Sequence, residues 1–179
     1  HFVDSILLNA FVDFEPTIEW SKVKVADLGT GWGFPLLPLA IVNPNVSFTW
    51  IDSVWKKLKA IDEFADDLGL HNVETINSRA EDLGQNLAHR EQYDYVVSRA
   101  TAFMPTLLEF TIPLLKVGGL FIAYKLWDKD ELKSAKKALS RLSSKIYKVK
   151  NYTIWDQDRT FVIIEKIAAT HKKYPRKNG

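Results

Sequence analysis

The stretch that decides the fold is Val25-Ala26-Asp27-Leu28-Gly29-Thr30-Gly31-Trp32-Gly33-Phe34-Pro35. An apolar, β-branched strand over Val23–Leu28 passes at once into three glycines spaced G-x-G-x-G. Glycine reaches backbone angles closed to other residues and lets the main chain approach a ligand closely. Leu36–Val42, ended by Asn43-Pro44, reads as a helix whose first amides face the same place. The second strand, Val46–Ile51, leads to Asp52, 23 positions beyond Gly29. A carboxylate about 20 residues after such glycines accepts hydrogen bonds from both ribose hydroxyls. Asp27, Gly29, Gly31, Gly33 and Asp52 therefore predict a nucleoside-cofactor site. The dinucleotide spacing is G-x-G-x-x-G. The tighter spacing here suits S-adenosylmethionine, with a nicotinamide dinucleotide as the alternative.

Working outward, apolar strands alternate with helical patterns, the signature of a βαβ sheet. Val54–Leu68 reads as a helix closed by Gly69, Val73–Asn77 and Tyr93–Ser98 as strands, and Met104–Leu115 as a helix. Val117-Gly118-Gly119 reads as a turn into a strand over Leu120–Tyr124, followed by a polar helix over Asp128–Ser143. Tyr147–Ile154 and Thr160–Lys166 read as a terminal hairpin joined by residues 155–159. The expectation is one α/β domain over 1–179: a mostly parallel seven-stranded sheet, helices on both faces, and an antiparallel hairpin at the end. Residues 171–179 read as a basic, mobile tail.

The 179 residues are 46% hydrophobic and 26% charged, which excludes a disordered or low-complexity chain. There is no cysteine, so no disulfide, thiolate metal site or cysteine nucleophile, and no metal is expected. No apolar run reaches the roughly 18 residues of a membrane helix. The net charge of +2 hides an asymmetry. Residues 1–100 hold 8 basic and 15 acidic side chains; residues 101–179 hold 16 and 7. That pattern points to an anionic partner for the second region. The chain begins at His1 and its single methionine is Met104, which predicts a trimmed chain.

Motifs along nearly the whole length make the resemblance specific. They are His1-Phe2-Val3-Asp4-Ser5, the glycine turn through Pro35, Asp52-Ser53 with Lys56-Lys57, and Ser78-Arg79-Ala80-Glu81. Arg90-Glu91-Gln92-Tyr93-Asp94, Ser98-Arg99-Ala100 and Lys173-Tyr174-Pro175-Arg176-Lys177 complete them. In this order they resemble the RsmG family, also called glucose-inhibited division protein B. The resemblance implies a bacterial, cytoplasmic methyltransferase of the class I, Rossmann-like fold. It implies S-adenosylmethionine as donor, and as acceptor N7 of one guanine in the 530 loop of 16S ribosomal RNA, in the small (30S) subunit. It further implies that Gly29 and Phe34 flank the cofactor, that Ser53 sits beside it, and that Ala80 and Glu81 lie by the adenine. Arg99 would line the cofactor and reaction pocket. The family's helical segment before the His-Phe motif is absent, and its Lys-Gly after the fifth strand is Lys125-Leu126 here. A monomer is expected.

Guanine N7 carries an in-plane lone pair, so its methylation needs placement of two reactants more than a strong base. Arg99 and Lys125, at the carboxyl ends of two strands, are the expected catalytic residues facing the acceptor. Arg99 pairing with Glu81 or Asp94 is the plainer alternative. Arg79, Lys172, Lys173, Arg176 and Lys177 are the expected RNA contacts, with Tyr174 as a possible stacking ring. Asp4-Ser5 before an apolar run fits a helix cap as well as it fits a motif role. Two other functions stay open: a methyltransferase with another RNA or small-molecule acceptor, and a non-catalytic cofactor-binding factor of ribosome assembly.

Overall fold

The computed structural model describes residues 2–12, 23–29, 31–99, 102–126 and 129–177. Seven strands form one sheet in the order β3-β2-β1-β4-β5-β7-β6. They are β1 (Lys24–Leu28), β2 (Ser47–Asp52), β3 (Val73–Asn77), β4 (Tyr93–Ser98), β5 (Leu115–Lys125), β6 (Ser144–Ile154) and β7 (Gln157–Lys166). Strands β1 to β5 pair in parallel, and β7 runs antiparallel to both β5 and β6. Thus the expected sheet and hairpin are present. The chain starts at β1, builds outward through β2 and β3, then returns to place β4 on the other side of β1. In open α/β sheets such a reversal leaves a crevice beyond the carboxyl ends of the strands.

Helices cover both faces because alternate residues of a strand point to opposite sides. On one face, α1 (Phe2–Val12), α2 (Leu36–Val42) and α3 (Trp55–Asp67) pack Leu8, Leu36, Leu39, Leu58 and Ile61 against Val25, Trp50, Val97 and Phe161. On the other, α4 (Ala80–Leu83), α5 (Met104–Thr111), a 3-10 turn (Ile112–Leu114) and α6 (Lys129–Arg141) bury Leu83, Leu107, Leu108 and Leu139 against Ala26, Val96 and Phe121. No helix among the described residues is long and apolar enough to cross a membrane.

Four local differences from the sequence expectations have physical reasons. Strand β5 begins at Leu115, and the Val117-Gly118-Gly119 segment is a bulge inside it. A Cβ on Gly119 would sit 2.9 Å from the Asp94 carbonyl, so only glycine lets the two strands close. The hairpin turn is two residues, Trp155-Asp156, both at positive φ (48° and 61°). That is the geometry of a tight hairpin turn without its usual glycine or asparagine, so the sequence reads as a longer loop. Asp4 lies within the first turn of α1, not before it. The one-turn helix α4 is too short to show a period. The expected start of α6 at Asp128, and His1, Thr30, Ala100, Asn178 and Gly179, lie outside the described residues.

Candidate functional site

A cleft of about 250 Å³ opens at the carboxyl ends of β1 and β2. Gly29 follows β1 at φ 74°, and its N–H donates to the Ile51 carbonyl at 2.9 Å. This closes the turn onto β2 and presents bare backbone to the cleft. Asp52 and Ser53 end β2 in the same wall, and Arg79, Ala80 and Glu81 enter from the segment after β3. Leu107 and Phe110 of α5 supply the apolar side. Six of the expected site residues therefore converge: Gly29, Asp52, Ser53, Arg79, Ala80 and Glu81.

Asp52 is buried but not spent. One carboxylate oxygen accepts the Val54 N–H at 2.8 Å, and the other lies 3.6 Å from the Lys57 ammonium. Its own carbonyl accepts from the Asn77 amide at 3.0 Å and the Ser78 N–H at 3.2 Å, which ties β2 to β3. A carboxylate has about four acceptor positions, so these bonds fix its direction and leave room for hydroxyl donors. Lys57 of α3, part of the Lys56-Lys57 motif, thus serves here. Glu81 is likewise buried within the wall.

The rest of the glycine turn frames the cleft without lining it. Asp27 is fully buried in β1, and its charge is one of those acting on Tyr124. Gly31 and Gly33 take positive φ, and the Gly33 carbonyl accepts the Leu37 N–H at 2.7 Å to start α2. Phe34 is half-buried, whereas Trp32 is 68% exposed.

Arg99 follows β4, mostly buried, with its Nε 3.9 Å from a carboxylate oxygen of Asp4. The alternative partner Asp94 is engaged elsewhere, by Lys116 at 2.7 Å and the Lys24 N–H at 2.9 Å. Asp4 also accepts the Tyr152 hydroxyl at 2.7 Å, and the Tyr124 hydroxyl donates to the Ser5 carbonyl at 3.3 Å. Burial, then Asp4, pushes the Tyr152 phenol far above its usual value; burial, then Tyr152, Asp4 and Asp27, raises Tyr124. Both hydroxyls therefore stay donors. Tyr152 is a functional candidate that sequence reading missed, and Asp4, which the sequence left even between a helix cap and a motif role, is a second.

Lys125 was expected to face the acceptor, and the structure places it otherwise. Its ammonium donates to the Ala102 carbonyl at 2.7 Å and to Glu131 at 2.8 Å, and its side chain is 11% exposed. The same Glu131 oxygen accepts the Met104 N–H at 2.8 Å. The pair clamps β5, α6 and the start of α5 together. A low-dielectric position rewards that pairing, and pulling the ammonium out would strand a buried carboxylate.

The basic tail is docked rather than mobile over 171–177. The Arg90 guanidinium donates to the carbonyls of Gly84 (2.6 Å), Tyr174 (2.8 Å) and Thr170 (2.8 Å). Gln85 donates to the carbonyls of Pro175 and Lys172, and the Tyr174 ring is buried against the α5/α6 layer. Burying such a ring contributes on the order of 2 kcal/mol. Arg176, expected to face RNA, grips Glu109 of α5 through two guanidinium bonds (2.6 and 2.8 Å) and its own N–H (2.8 Å). That grip, against a smaller opposing effect of burial, holds the Glu109 carboxyl below its ordinary 4.5. Lys172, Lys173 and Lys177 are exposed.

A family model described as rRNA small subunit methyltransferase G, GidB, matches residues 1–162. Ribosomal RNA small subunit methyltransferase G of Lactobacillus johnsonii is 46% identical over 182 residues, covering 100% of this chain and 75% of that protein. The protein of the same name from Streptococcus pyogenes serotype M12 is 45% identical, with the same coverage. Among solved structures, a 16S rRNA (adenine(1408)-N(1))-methyltransferase mutant from Catenulisporales acidiphilia superposes with a TM-score of 0.71 at 13% identity, over 85% of this chain and 88% of that one. A SAM-dependent O-methyltransferase from Thermotoga maritima gives 0.64 at 14%, over 94% and 66%. At such identities these two structures speak for the fold alone. The family match and the full-length relatives speak for more: the chain belongs to the rRNA small subunit methyltransferase G (GidB) family.

Proposed function

We propose that this chain methylates N7 of a guanine in the 530 loop of 16S ribosomal RNA, using S-adenosylmethionine. The observation that carries the donor reading is the cleft in which Gly29, Asp52, Ala80 and Glu81 meet. Asp52 fits the ribose hydroxyls, the bare backbone at Gly29 fits close approach, and Leu107 and Phe110 fit the flat adenine. Relatives named for small-subunit ribosomal RNA support the acceptor class.

When bound, the donor supplies a methyl group on a sulfonium, which departs as a neutral thioether while the N7 lone pair forms the new bond. The methylated ring keeps the positive charge, so no proton has to be removed. The protein's task is then orientation, worth roughly 7–11 kcal/mol in favourable cases. Asp52 holds the donor in register from one side. Arg99, steadied by Asp4 and Tyr152, would hydrogen-bond the guanine O6 edge, as arginine does in base recognition. Lys125 acts as a positioning residue through Glu131 and Ala102. Guanine N7 lies in the narrow groove of an A-form helix, so the target base must be unpaired or displaced. The reading makes the protein a cytoplasmic bacterial monomer acting on the small subunit.

The test is methyl transfer from labelled donor to small subunits lacking the modification, with the modified position mapped. Incorporation at one N7-guanine is expected; no incorporation, or methyl elsewhere, overturns the reading. Arg99→Ala should lower turnover more than about a hundred-fold with the fold intact.

A further inference from the structure

A second concavity, about 520 Å³ in volume, lies between α5, α6 and the docked tail. Lys137 and Arg141 of α6 line one side, and Arg176 and Lys177 of the tail line the other. The acid in its wall is Glu109, and Arg176 already grips it. Among the described residues, Lys137, Arg141 and Lys177 make no ion pair, and all three are exposed. Lys137 and Arg141 stand four apart on one helical face, where like charges repel and weaken the helix. The opposite face of the sheet contrasts: α3 carries Asp62, Glu63, Asp66 and Asp67.

Resting on the function proposed above, we infer that this groove is a docking track for the phosphodiester backbone of the substrate RNA. The charge has the right sign and is unspent. The tail wall is rigid, because Arg90 and Gln85 hold its backbone and Pro175 packs on Gly84. Phe110 is half-buried and lines both this groove and the donor cleft. RNA lying along the groove is thereby brought beside the cleft where the donor sits. Phosphate contacts of this kind position a nucleic acid without reading its sequence. Lys137 and Arg141 thus set affinity, while the residues near Arg99 select the base.

The experiment compares wild type with Lys137→Glu/Arg141→Glu, and with Lys59→Glu on α3 as a charge control on the other face. A Lys137→Gln/Arg141→Gln variant covers the case in which double reversal fails to fold. Binding of a fluorescent single-stranded RNA carrying the loop sequence is followed by anisotropy from 50 to 200 mM salt. KM and kcat are measured on unmethylated small subunits, and donor affinity by calorimetry. Expected are an RNA affinity lower by about ten-fold or more, a salt slope smaller by about two, and a raised KM. Values of kcat and donor affinity stay unchanged. An unaltered affinity and slope in a folded variant overturns the proposal, as does an equal loss in Lys59→Glu. A KM raised on the particle, with binding to naked RNA unchanged, would assign the groove to a ribosomal protein and also overturns it. Failure of the wild type to methylate any small subunit would sink the functional reading, while the anisotropy arm still decides the groove.

Discussion

The donor cleft and the tail groove share Phe110 and little else. The cleft is about half the groove's volume, 250 against 520 Å³, and sets the buried Asp52 and Glu81 carboxylates beside Ser53, Ser78, Arg79 and bare backbone. The groove is rimmed by long cations. A nucleoside needs hydroxyl acceptors held at one fixed distance, so its site must be small and braced. A nucleic-acid backbone needs charge at a spacing, so its site tolerates flexible side chains. On the proposed function the larger cavity is not the place of chemistry; the chemical character of the walls separates the two where size would mislead.

Perturbing each region alone should break this division if it is wrong. The largest effect belongs to the cleft: Asp52→Ala should weaken S-adenosylmethionine binding about a hundred-fold in calorimetry, equivalent to about 2.7 kcal/mol, and leave RNA affinity unchanged. Next comes the tail brace. Arg90→Ala strips three short hydrogen bonds from carbonyls that remain half-buried, and should cost about 2 kcal/mol in denaturant unfolding. It should loosen RNA binding while donor affinity holds. Gly84→Ala is milder: the new Cβ would meet Pro175 at 2.7 Å and push the tail outward, for about 1 kcal/mol. A protein in which Gly84→Ala changed donor affinity instead would show the two regions to be one site.

The smallest effect concerns pH. Glu109 is held below its ordinary 4.5, chiefly by Arg176. Glu91 is also held low: burial opposes this, but the Lys166 hydrogen bond and charge, Thr170 and Arg90 outweigh it. The folded state then binds fewer protons than the unfolded one just below 4.5. The stabilisation is complete above 4.5 and is lost as pH falls through the depressed values. Amide hydrogen exchange over residues 170–177 should accelerate in that window, and Glu109→Gln should make the tail exchange faster at neutral pH as well.

What the chain reveals before folding follows from how local each feature is. The glycine turn and Asp52 were legible because strand, turn and carboxylate are fixed by short-range geometry, and the sheet because its buried strands are continuous apolar runs. Arg79, Ala80 and Glu81 could be placed only by resemblance, since α4 is a single turn without a period. The pairing of Lys125 was illegible because Glu131 lies on a separate helix, and a strand-end lysine looks the same whether it faces solvent or a partner. The tail looked frayed for the same reason: its anchors, Gln85, Arg90 and Glu109, sit 67 to 90 positions away. The unpaired cations of the groove were invisible because Lys137 and Lys177 come together only when the tail docks on α5 and α6.

The hydrogen bond from Tyr152 to Asp4 joins residues 148 positions apart. Closing so long a loop returns nothing until β6 has found its place beside β7, so this contact belongs to the late stages of folding. Arg99 therefore acquires its brace last. On the proposed role of Arg99, competence for methyl transfer would then follow the gathering of the sheet core. A partly made chain could hold a donor in its cleft without yet presenting an ordered Arg99 to a base.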